Sequence, residues 1–289
     1  MAAGALSRPD SVRVSRVVIT RPAREAHNWA QALQAQGWSV TVLPLIEIGE
    51  PTDPQALAWL DQQRCACWQT DAVMFVSAAA VQHFFAAGVA RPPGGEWRTR
   101  FWAPGPGTAR ALTEALHALG VGDDRIDSPR PDSPQFDSEH LWPVIAPQLV
   151  PGARVLIVRG HSAGQDDAPP EAAVAGTGRD WLIRRCEAAG AVVQTCVAYE
   201  RRAPVWSTAE YATAQAAAAP GHLWLFSSSE AVNHLLQLMS SAVWAGAAAL
   251  ATHPRIAEAA RAAGFGTVTE SRPALADVLR SLESGSRHE

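Results

Sequence analysis

The pattern Phe-x-Ser-x-x-Ala-Val-x-His stands twice in this chain, as Phe75, Ser77, Ala80, Val81, His83 and as Phe226, Ser228, Ala231, Val232, His234. A serine that follows an apolar strand and opens a helix can do one of two things. Its hydroxyl can cap the helix, or it can join the unpaired N–H groups of the first turn in holding an anion. Capping is the more ordinary role for any single serine. Recurrence in both halves adds weight to the ligand role. Thr108, after Gly105-Pro106-Gly107, and Ser227 and Ser229, on either side of Ser228, stand at turns of the same kind.

All 24 basic residues are arginine. Codon bias accounts for much of that, but the chemistry follows regardless. Every cation is a planar fork suited to carboxylates or phosphates, and Schiff-base chemistry through lysine is excluded. Arg21 and Arg159 end apolar strands, and Arg179, Arg201, Arg202 and Arg255 lie at or near further turns. A charge-assisted hydrogen bond to a carboxylate contributes roughly 1.5–3 kcal/mol, so several together suit a polyanionic ligand. Tyr199 ends a mostly apolar strand before Glu200-Arg201-Arg202. Its phenol reads either as a packed aromatic with a wet tip or as a proton donor in a cleft.

Other chemistries lack their motifs. Gly105-Pro106-Gly107 has neither the dinucleotide spacing nor the Lys-Ser/Thr of a phosphate loop. There is no Gly-x-Ser-x-Gly elbow and no His-Glu-x-x-His helix. Cys65-x-Cys67 has no matching second pair, so Cys65, Cys67, Cys186 and Cys196 read as reduced thiols. No metal site is expected from the cysteines.

These residues need elements to place them. Val17 to Thr20 reads as a strand, Glu25 to Gln36 as a helix, and Ser39 to Ile48 as a second strand interrupted at Pro44. The first serine turn and its helix follow, then a short strand at Phe101–Ala103, a helix from Ala109 to Leu119, and a helix opened by Asp137 or Ser138. The same order then returns: strand Arg154–Gly160, helix Asp180–Ala189, strand Val192–Tyr199, the second serine turn, a proline turn at Pro254, and a last helix from Ala274 to Leu282. Strands alternating with helices predict an α/β protein, with parallel sheets covered by helices. At 289 residues the chain suits two domains. Ligands of open parallel sheets bind at the carboxyl ends of the strands, where all these residues fall. Proximity alone favours tandem lobes at 17–145 and 154–283.

The net charge of −4 argues against nucleic acid as partner. The apolar stretch at 242–251 is about half of the ~20 residues that span a bilayer, and residues 1–16 have no signal-peptide pattern. A cytoplasmic protein without a membrane partner is expected, and with no heptads it is expected to be a monomer.

In order along the chain, Val18-Ile19-Thr20-Arg21-Pro22, Leu43-Pro44-Leu45-Ile46, Phe75-Val76-Ser77, Gly105-Pro106-Gly107-Thr108-Ala109-Arg110, Asp137-Ser138-Glu139, Val158-Arg159-Gly160, Gly178-Arg179, Val197-Ala198-Tyr199-Glu200-Arg201-Arg202 and Phe226-Ser227-Ser228-Ser229-Glu230-Ala231-Val232 resemble the uroporphyrinogen-III synthase family. The resemblance covers about residues 17–282. It implies two similar parallel-sheet lobes with segment-swapped connectivity, joined by a two-stranded crossover near Pro44–Ile48 and Ala198–Ala203. Residues 14–45 and 204–284 would form lobe 1 and residues 49–198 lobe 2, with disordered tails at 1–13 and 285–289 and a flexible insertion at 161–178. The implied reaction cyclises hydroxymethylbilane, a linear polycarboxylate, to uroporphyrinogen III with loss of water and inversion of the terminal ring. Neither a metal nor an organic cofactor is implied, and transient contact with the preceding pathway enzyme is expected.

By the same resemblance Tyr199 is the catalytic candidate. Arg21, Ser77, Thr108, Arg159, Arg179, Ser227, Ser228 and Arg255 are candidates for substrate carboxylates. The chain departs from the family pattern at His253-Pro254-Arg255-Ile256, where Arg255 stands in for the usual hydroxyls, and at Ala78-Ala79 in the first serine turn. Two other readings stay open: a non-catalytic two-lobed anion-binding protein, and an inactive synthase-like partner domain.

Overall fold

Val17, Val18 and Ile19 are fully buried, because β1 (Arg16–Ile19) lies inside a sheet rather than at its edge. Its neighbours come from opposite ends of the chain. On one side is β2 (Val40–Val42), and on the other β9 (His222–Phe226), followed by β10 (Ala248–Ala251) and β11 (Thr267–Glu270). All four pairings are parallel, with Ile19 opposite both Val42 and Leu225. The computed structural model describes residues 14–86, 88–90, 98–162 and 180–286. Within them the chain divides into two compact units, one running to Glu47 and resuming at Ala203, the other spanning Ile48–Arg202.

In the first unit, α1 (Ala23–Ala35), α7 (Thr208–Ala216), α8 (Ser229–Leu238), α9 (Pro254–Ala262) and α10 (Leu275–Ser286) accompany the sheet. Local sequence starts and stops them. Ser207 and Glu210 form a reciprocal capping box on α7, and α1 is followed by Gly37, whose φ of 84° is costly for any other residue. One core joins Val17, Ile19, Leu33, Leu223, Leu225, Leu250 and Val278. A second is aromatic, with Trp224, Phe226, Trp244 and Phe265 in stacked and edge-on contact.

The second unit holds a six-stranded sheet in the order β3-β8-β7-β4-β5-β6. Its strands are β3 (Glu47–Gly49), β4 (Ala72–Phe75), β5 (Arg100–Trp102), β6 (Ile126–Asp127), β7 (Arg154–Ser162) and β8 (Val192–Arg202). The pairings from β8 through β6 are parallel. One face is buried under Leu60, Phe84, Leu112 and Leu116, which belong to α2 (Pro54–Ala66), α3 (Ala78–Ala86) and α4 (Pro106–His117). The other is buried under Leu141, Ile145, Leu182 and Cys186, from α5 (Ser138–Ile145) and α6 (Asp180–Ala188). Asp53 and Asp137 cap α2 and α5 as side-chain acceptors.

The interleaved order replaces the tandem lobes that proximity favours. The stretch 39–48 is also not one broken strand. Its two pieces, β2 and β3, go to different sheets. Pro44 cannot donate to a ladder, and the chain changes sheets beside it. β7 continues through His161 and Ser162, where the sequence suggests the start of an insertion. Residues 163–178, Arg179 and the tails at 1–13 and 287–289 lie outside the described residues. Among the described residues, no helix is long and apolar enough to cross a membrane.

Candidate functional site

In the second unit, four adjacent strands bring the candidates to their carboxyl ends. Tyr199 stands in β8, Arg159 in β7, Ser77 follows β4, and Thr108 opens α4 after β5. Tyr199 and Ser77 touch. Tyr199 Oη lies 3.2 Å from Ser77 Oγ, and either oxygen can donate. Ser77 Oγ also accepts from Ala80 N at 3.2 Å, so it caps α3 as well. The two readings of this serine are therefore compatible, because a hydroxyl has two lone pairs and a proton.

Tyr199 is 7% exposed. Its ring packs into the core with Phe75, Val81 and Phe84, 6.0 Å from the His83 ring centroid. The packed aromatic and the polar tip thus coexist. Half-buried His83 is held below its ordinary value, chiefly by burial and further by Arg64, while Glu50 opposes both. Neutral imidazole is favoured beside the phenol.

Arg159 is 5% exposed and reaches Asp180 Oδ1 at 3.3 Å. Burial pulls its guanidinium below the usual range, against the hydrogen bond and charge of Asp180. Asp180 itself is 69% exposed, so this pair is readily screened by solvent. Thr108 is buried in the first turn of α4.

In the first unit, Arg21 follows β1, Ser227 and Ser228 follow β9, and Arg255 follows β10. Arg21 is held by its own helix, 2.9 Å from Glu25 and 4.0 Å above the Trp29 ring, with Nε buried and without a hydrogen-bond partner among the described residues. Ser228 is the N-cap residue of α8, yet its side chain makes no capping bond. The capping reading, correct for Ser77, fails for its repeat. His253 instead caps α9, its Nδ1 accepting from Arg255 N at 3.2 Å, and the Arg255 side chain stays exposed.

Sequence reasoning missed several neighbours. Glu200 is 3% exposed and accepts from Thr52 Oγ1 at 2.9 Å. An acid ending an apolar strand beside Tyr199 was the available signal. His161 Nδ1, on β7, is buried without a partner among the described residues. Gly160 lies opposite Tyr199 in the ladder. The repeated histidine of the motif was visible too, but its two copies part ways. His83 lies beside Tyr199, whereas His234 Nδ1 donates to the Leu45 carbonyl at 2.7 Å and is structural.

Among the described residues no group of His, Cys, Asp and Glu could hold a metal ion.

A family model described as HEM4, uroporphyrinogen-III synthase HemD, matches residues 27–280. A mutant uroporphyrinogen III synthase from the extreme thermophile Thermus thermophilus is similar at 16% identity, over 95% of this chain and 99% of that one, with a TM-score of 0.47. Uroporphyrinogen-III synthetase from Helicobacter pylori is similar at 13% identity, over 93% and 98%, with a TM-score of 0.48. No curated protein matches the chain. Because the family model spans nearly the whole chain, this protein belongs to the uroporphyrinogen-III synthase family.

Proposed function

We propose that the chain cyclises hydroxymethylbilane to uroporphyrinogen III, inverting the terminal ring and releasing water, as a step of porphyrin biosynthesis. The observation that carries this reading is the Tyr199–Ser77 pair, a phenol and a hydroxyl 3.2 Å apart at the carboxyl ends of a parallel sheet. A pyrrole nitrogen lone pair can expel the substrate's hydroxyl, so the protein needs to supply only modest acid help. Tyr199 gives its proton to the departing oxygen. The Ser77 hydroxyl then turns its own proton to the phenolate, and the first turn of α3 faces the new charge. The terminal ring then bonds to the new electrophilic carbon to give the spiro intermediate, its original bridge bond breaks, the ring closes onto that bridge through its other α-carbon, and the proton lost from that carbon returns to the Tyr199 phenolate.

Holding a flexible polycarboxylate in one conformation is the harder task, and positioning of this kind supplies up to ~7–11 kcal/mol. Arg159, Thr108, Arg21, Ser227, Ser228, Arg255 and Arg179 are proposed to take the carboxylates. Support for Arg159 comes from its burial near the carboxyl end of β7, where Asp180, which it meets, is mostly in solvent. Support for Ser228 comes from a hydroxyl that does not cap its helix.

The test is the product. Purified protein is given hydroxymethylbilane, and the oxidised porphyrins are separated by isomer. The type III isomer is expected in excess. Only the spontaneous type I isomer would overturn the reading and leave a non-catalytic anion-binding protein or partner domain.

A further inference from the structure

Side chains alternate along a strand, and β8 obeys this until it reaches the site. Cys196 and Ala198 lie in the core under α2, α3 and α4, and Val193 lies in the core under α5 and α6. Strict alternation sends Tyr199 to the Val193 face, away from Ser77. Tyr199 instead lies with Cys196 and Ala198. The ladder shows why. Arg159 pairs with Val197, but the next residue, Gly160, pairs with Tyr199. Here β8 carries one residue more than β7, and a bulge of this kind re-aims a side chain.

The re-aimed ring needs room, and Gly160 provides it. A Cβ on Gly160 would lie 2.6 Å from Tyr199 Cε2 and 2.8 Å from its Oη, with Cζ nearer still. Gly160 is not among the glycines with positive φ. Space is therefore what the position requires, rather than backbone freedom.

We propose that Gly160 is a positioning residue for Tyr199, which together with the β8 bulge forms the seat that aims the phenol at Ser77. The proposal rests on the reading of Tyr199 as the proton donor, and its test separates the two. The chain has two tyrosines, so protein grown with 3-fluorotyrosine gives two fluorine resonances, assigned with Tyr211→Phe. Gly160→Ala is expected to shift the Tyr199 resonance and leave that of Tyr211 in place. It should lower kcat at least as much as Tyr199→Phe, with a smaller change in KM. In a Tyr199→Ala background, where the Cβ has room, Gly160→Ala should change turnover and thermal stability by no more than about twofold and by about a degree, the scatter of uncoupled sites.

An unmoved Tyr199 resonance in Gly160→Ala overturns the proposal. So does an equal fold-loss of kcat in both backgrounds. If Gly160→Ala alone does not fold, a folded double variant supports the seat and an unfolded one overturns it. If Tyr199→Phe keeps full turnover while the resonance still moves in Gly160→Ala, the seat stands and the acid role alone is lost.

Discussion

Tyr199→Phe removes one oxygen from a ring that stays packed, so the fold should hold while turnover falls. The expected loss is about tenfold or more, at or below the ~10²–10⁴-fold range of general acid catalysis, because in the proposed reaction the pyrrole lone pair drives hydroxyl departure. Ser77→Ala should cost less, since the N–H groups of α3 remain. Steady-state rates on hydroxymethylbilane check both. The thiols give a second residue-scale prediction. Burial raises Cys67 to about 12 and Cys186 to about 11, and pushes Cys196 upward as well. Cys65 is exposed. A thiol-specific disulfide reagent at pH 8 should therefore titrate Cys65 rapidly, and the other three thiols only on unfolding. His83 gives a third. With its folded value lowered, the unfolded chain binds the proton first as pH falls. Its contribution to stability is present above its ordinary value of 6.5 and is lost as pH drops through the lower folded value. His83→Gln should flatten the fall in urea stability below pH 6.5, and an unchanged slope would contradict the assignment.

At the scale of elements, Arg64 holds α3 where the serine turn needs it. The buried guanidinium of this α2 residue donates from Nε to Phe84 O at 2.9 Å and from Nη2 to His83 O at 2.6 Å. These are carbonyls of the last turn of α3, which have no partner within the helix. Arg64→Met keeps the apolar stem and removes both donors. It should cost about 2–3 kcal/mol in chemical denaturation, and Arg64→Lys should recover part of that without the fork. Nothing in the sequence marks Arg64 for this role, because Gln63-Arg64-Cys65 sits in an ordinary helical run and the acceptors lie on another helix. The apolar runs Val17–Ile19, Ala72–Val76 and Leu223–Phe226 were legible as strands, since β-sheet burial on both faces leaves a continuous apolar signature. A cap at Asp137 or Ser138 was legible, because a cap is local chemistry, and the structure gives it to Asp137. The bulge at Tyr199 was not, because it depends on the register of β8 against β7, and register is a property of two segments. The same holds for the divergence of Ser77 and Ser228. Their motifs match residue for residue, yet only Ser77 caps its helix.

For the whole molecule, the arrangement of strands sets what can fold by itself. Ile48–Arg202 is continuous and has its own sheet and cores. A fragment of these residues should unfold cooperatively in urea with a defined midpoint. A fragment of residues 17–145, the tandem lobe that proximity favours, keeps β1 without β9 and β4 without β7. It should lack a cooperative transition. Local rules read each strand and helix but not this pairing, because β1 and β4 match their repeats, β7 and β9, in hydropathy and so do not name their own partners. The resemblance to a family supplied the swapped order that periodicity alone could not.

β1 also has a consequence during synthesis. Its two neighbours are β2, made soon after it, and β9, which begins at His222. β1 therefore waits until the whole of the second unit, Ile48–Arg202, has been translated. Domains usually fold in the order in which they emerge, and here that order is inverted: β1, made before the second unit, completes its sheet after it. Meanwhile Val17, Val18 and Ile19 remain an unpaired apolar edge on the nascent chain, the kind of surface that chaperones shield.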